Sequence, residues 1–192
     1  MFRRRKTEPG PPIQDEVVDR LLCVAVTTML GVVVANRRDG ALDEEKAEQY
    51  AAESHRWLRR ENLADALTVG ERALVAKSLG DWSERESVDA DWRNESVGVL
   101  LWAISAIAEL PAQDARFEDP ASLVPLLAPT AEFRRLANLR PAEELEGARA
   151  GVYRDLDAGE HADAAAIARE RRRALNWLCG ASPDWDRAAT GA

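Results

Sequence analysis

Leu21 to Ala35 reads LLCVAVTTMLGVVVA, fifteen residues without a charge. A membrane span, a β-strand and a buried helix compete for it. A spanning helix needs roughly 20 apolar residues, and Arg20 and Arg37 bound this run on either side. A signal peptide sets its basic region directly before the apolar core. Here EPGPPIQDEVVD separates MFRRRK from it. The β-branched residues would suit a strand, but no turn divides the run and no period of two appears. The stretch therefore reads as a core helix over 15–36, closed by Asn36-Arg37-Arg38-Asp39-Gly40.

Outward from this helix, proline, glycine and capping residues divide the chain into further helical blocks. Asp43 is placed to cap a helix over about 44–60, where Ala47, Tyr50, Ala51, Ser54, Trp57 and Leu58 form a one-sided stripe. Thr68 with Glu71, and Ser83 with Glu86, have capping-box spacing. The second box opens a long apolar helix over about 84–110, stopped by Pro111. Residues 112–129 read as a loop with one short turn. Thr130 starts a short helix, Pro141 opens one ending at Gly159, and the last runs from about Ala162 to Cys179 with Gly180 as C-cap. The predicted fold is all-α: a single compact domain of about seven helices around the central apolar helix at about 84–110. It spans 15–186, between a basic, proline-rich tail at 1–14 and a C-terminal tail at 187–192.

Two helices carry charges where a core face should be. On a wheel of about 100° per residue, Ile167, Ala174, Leu175 and Leu178 define the apolar face of the last helix. Arg171 falls in its middle, with Glu170 and Trp177 flanking it. Arg169, Arg172, Arg173 and Asn176 fall on the opposite, solvated side. In the 84–110 helix, which also carries Trp92, Arg93 lies in line with Leu100 and Ile104, and Glu95 with Trp102. An uncompensated buried charge costs several kcal/mol, so each needs a partner from another helix. Candidate cations are Arg171, Arg93, Arg140 and Arg154; candidate anions are Glu95, Glu170, Asp91 and Asp155. Glu95 with Arg171 is the chief expected pair.

Four stretches together resemble an uncharacterised bacterial family, domain-of-unknown-function family 4272. They are LTVGERALVAKSLG (67–80), DWRNESVGVLLWAI (91–104), LRPAEELEGARAGVYRDL (139–156), and ERRRALNWL (170–178) with DWDRAAT (184–190). The resemblance implies an all-helical domain and no particular activity. The positions that match, Trp92, Arg93, Glu95, Arg154, Glu170, Arg171, Asn176 and Trp177, form a candidate polar cluster, structural or ligand-binding.

Most familiar chemistry is poorly served. His55 and His161 are the only histidines, and neither has metal-ligand spacing, so no metal and no cofactor is expected. No phosphate-cradling glycine loop or nucleophile elbow occurs. Cys23 and Cys179 sit in apolar runs, as small hydrophobes do, and fit a reducing cytoplasm. A net charge of -8 disfavours nucleic acid as a partner, whatever the arginines at 169, 172 and 173 offer. Of six tryptophans, Trp57 and Trp102 read as core, and Trp82 and Trp185 as lids over it or, alternatively, as contacts for a partner. The sequence thus points to a protein-interaction domain without catalysis; the alternative is a small-molecule or anion site built on the interior cluster.

Overall fold

The computed structural model describes residues 10–112, 115–156 and 162–189, with backbone alone at 153–156 and at 162. Among the described residues there are eight α-helices and no strand: α1 (Gln14–Arg38), α2 (Glu44–Arg60), α3 (Val69–Val75), α4 (Glu84–Trp92), α5 (Asn94–Ala103), α6 (Ala131–Leu136), α7 (Ala142–Leu156) and α8 (Ala162–Leu178). The chain is all-α and forms one compact domain.

The apolar run is the axis of this domain. Residues Leu21 to Val26 are each 0% exposed, and α1 packs against α2, α3, α4 and α5. By length and composition alone α1 could cross a membrane, yet 78% of its most apolar stretch is buried within the fold. Its ends follow the helix dipole, with Asp15 and Glu16 in the first turn and Arg37 and Arg38 in the last. At Gly31 it meets α4 so closely that a Cβ would stand 2.5 Å from Ala90 Cβ. Gly31→Ala gains up to ~1 kcal/mol of helix propensity and loses about 1–3 kcal/mol to overpacking. We expect a net loss in urea unfolding; a more stable variant would refute the close contact.

The predicted caps are present. Lys46 N donates to Asp43 Oδ1 at 2.8 Å. Glu71 N donates to Thr68 Oγ1 while Thr68 N donates to Glu71 Oε2. Ser83 and Glu86 close the same reciprocal pair. Gly180, past the end of α8, has φ +69°.

The expected central helix at 84–110 is not continuous. It breaks at Arg93, whose N–H bonds Ala90 O in a tight three-residue turn, and it stops at Ala103. There the 138–140 segment takes over its last carbonyls: Asn138 N and Arg140 N donate to Ile104 O and Ala103 O, and the Arg140 guanidinium reaches Trp102, Ile107 and Ala108. Ser105 turns into the left-handed region, φ 61°. α5 is central as expected, with every residue from Glu95 to Ala103 buried, and it shares the centre with α1. Gln14 already belongs to α1, and Ala188 and Ala189, placed in the tail by sequence, are 0% and 9% exposed. Residues 1–9, 190–192 and the expected stop at Gly159 lie outside the described residues.

Candidate functional site

The cluster expected from sequence divides into a closed part and an open part. In the closed part, Arg171 Nε donates to Glu95 Oε2 at 3.0 Å, and the two side chains are 1% and 0% exposed. The remaining guanidinium donors go to the carbonyls of Pro111, Ala112 and Ala115, and Glu95 Oε1 accepts from Phe117 N at 3.0 Å. Phe117 lies across α5 where Gly98 leaves room; a Cβ there would fall 2.3 Å from its ring. This pair therefore fastens residues 111–112 and 115–117 over α5. Beside it, Glu170 takes Ser96 Oγ and Arg173 Nε, tying α8 to α5.

Arg173 and Asn176 do not face solvent as the wheel predicted. The C-terminal segment folds back over that side of α8. Arg173 Nη1 donates to Trp185 O and Asp186 O, and Asn176 Nδ2 donates to Ala188 O at 2.9 Å. Trp92 is half-buried under the Arg116 guanidinium, 4.4 Å from its ring centroid. Arg93, half-buried at the helix break, has its Nη1 without a hydrogen-bond partner among the described residues. The Arg154 side chain and His161 lie outside the described residues.

Trp177 belongs elsewhere, to the open part. It meets Trp185 edge to face, ring centroids 5.6 Å apart, beside a charge pair that the sequence reading missed. Arg20 Nη1 donates to Glu71 Oε2 at 2.5 Å, Nη2 donates to Ala66 O, and the guanidinium carbon sits 5.5 Å from the Trp185 centroid. Arg20 is 9% exposed and Glu71 1%. Two cavities open over this pair. One, about 290 Å³, lies between Pro12, Glu16, Asp19, Ala66 and Gly180. The other, about 690 Å³, runs along Leu67–Val69 and Asp184–Arg187. Both are lined by Arg20, Trp177 and Pro183, so they form one groove.

Two of the four stretches that carry the family resemblance meet at this groove: Thr68 from the first, and Trp177 with Trp185 and Asp186 from the last. The family described as "Domain of unknown function (DUF4272)" matches residues 4–188. The chain belongs to the DUF4272 family. No curated protein and no solved structure matches it.

The wheel argument that found Arg171 applies to Arg20 as well. Val17, Cys23 and Val24, three or four residues away, are all buried, so Arg20 too sits on a core face. In this DUF4272 domain, Trp82 and Trp185 close over the core, 3% and 4% exposed. His55 Nε2 lies 2.8 Å from Val75 O. Among the described residues no group of three or more His, Cys, Asp or Glu could hold a metal ion. Both cysteines are free. Burial, with the Glu71 charge, pushes the Cys23 thiol far up, and burial raises Cys179 to about 11. Neither carries the thiolate that nucleophilic chemistry needs.

Proposed function

We propose that this chain is a non-catalytic recognition domain that meets another protein through the groove over Arg20 and Trp177. The observation that carries this reading is Val69. It stands at the groove edge 86% exposed, in a lining shared with the half-buried Trp177 and the exposed Pro183. An open groove with an aromatic wall and an exposed aliphatic rim is the anatomy of a contact surface. The alternative, a small-ligand site inside the Glu95–Arg171 cluster, loses its support because Glu95, Glu170, Arg171 and Asn176 are all at most 2% exposed. Two free thiols support a reducing, cytoplasmic setting.

A photo-crosslinking residue placed at Val69 should yield a discrete adduct with a second protein in cells of the native host. The same residue at Val88, 49% exposed on α4, should not. The adduct at Val69 should fade when Trp177 is replaced by alanine in a chain that still folds. Equal labelling from both positions would remove the reading.

A further inference from the structure

We infer that the groove takes a basic segment of its partner, an aliphatic residue flanked by arginine or lysine. This rests on the reading of the groove as a contact surface. The wall chemistry is uneven along its length. Glu16 and Asp19 line one cavity; Asp184 and Asp186 line the other. Between them lie Trp177 and Pro183, with Val69 at the rim. Two arginines also line the groove, and both are committed: Arg20 to the buried Glu71, and Arg187 to Asp184 at 3.5 Å. The Arg134 guanidinium sits on Asp19 at 2.7 Å; with Arg20 matched by Glu71 and Arg187 by Asp184, the groove keeps an excess of two carboxylates, Glu16 in one cavity and Asp186 in the other. The chain as a whole carries -8, so the surrounding field adds to the local one.

An anionic partner would meet carboxylates at both ends. A purely apolar one would strip water from them without replacement. A cation at each end with an aliphatic centre satisfies all three zones. Indole faces favour guanidinium and ammonium groups, and the pair Arg20 on Trp185 shows this contact in the same wall.

The test uses the full chain and three fluorescein-labelled nonapeptides, alike except at the second and eighth positions, which are arginine, glutamate or alanine around a central leucine. Fluorescence anisotropy at low salt should show binding of the arginine peptide alone. Its affinity should fall several-fold as salt rises past 0.1 M, as screening requires. Glu16→Gln with Asp184→Asn should weaken it about tenfold, roughly threefold for each rim charge. Glutamine at 16 still accepts from Ile13 N and asparagine at 184 from Asp186 N, and the Asp184–Arg187 pair is exposed, so thermal unfolding should be nearly unchanged. Equal binding of the glutamate peptide, or indifference to salt and to both substitutions, overturns the basic occupant and leaves the Val69 adduct standing. Arg3, Arg4, Arg5 and Lys6 precede Gly10, which lines the groove mouth. If an R3S/R4S/R5S/K6S chain binds the arginine peptide more tightly than the native one, that segment is the occupant, and the partner is overturned. Concentration-dependent dimers abolished by E16Q/D184N would name a second copy instead.

Discussion

Arg171→Met is expected to remove about 3–5 kcal/mol of stability, because the sealed Glu95 carboxylate loses its buried partner and keeps only Arg116 Nε, 3.9 Å away on a half-exposed side chain. In a chain of this size that lowers the melting temperature by on the order of 10 °C. Urea and thermal unfolding followed by circular dichroism would measure it. The double variant Glu95→Leu, Arg171→Met should recover only part of the loss. A hydrophobic replacement of a buried ion pair is often neutral, but here three carbonyls and the Phe117 N–H depend on the pair as well. Each buried polar group left without a partner costs about 1–3 kcal/mol. A loss below about 1 kcal/mol in the single variant would mean that Arg116 or water compensates Glu95 as well as Arg171 does.

Glu71→Ala should be nearly as severe, on the order of 3–4 kcal/mol. It strips Arg20 of its carboxylate and removes one half of the α3 capping box, itself worth about 1 kcal/mol. Arg20 retains Ala66 O and some contact with solvent, which places the loss toward the lower end of the buried-pair range. Glu71→Gln separates the two contributions. It keeps an acceptor for Thr68 N and loses the charge, so most of the cap remains while most of the pairing is lost. If Glu71→Gln unfolds like the native chain, the cap alone explains this residue and the pair with Arg20 contributes little.

Both charge pairs obey one rule, yet only one was found in the sequence. Arg171 lies in a run of arginines that invites a wheel, and its misfit with Ile167 and Leu178 is visible there. Arg20 flanks an apolar run, where a cation passes for a boundary, and its partner Glu71 was already accounted for as a capping residue. The caps at Asp43, Thr68 and Ser83 were legible because their chemistry is local, a side chain bonding an N–H three residues on. The break at Arg93 was not. No proline or glycine marks it, and the α5 end is set by Arg140 and Asn138, more than thirty residues away. Asn176 was misplaced for the same kind of reason: a wheel treats a helix as having one covered side, and the returning C-terminal segment covers a second.

The clamp on residues 111–112 and 115–117 has a dynamic consequence. These residues are held by the Arg171 guanidinium on α8 and, from the other side, by Glu95 through Phe117 N and by Asp91 through Arg116. Stretches secured in this way open together with the element that secures them. Amide exchange at Phe117 should therefore track that of the α8 interior, and a protease that attacks the loop should do so only as often as α8 lifts away from α5.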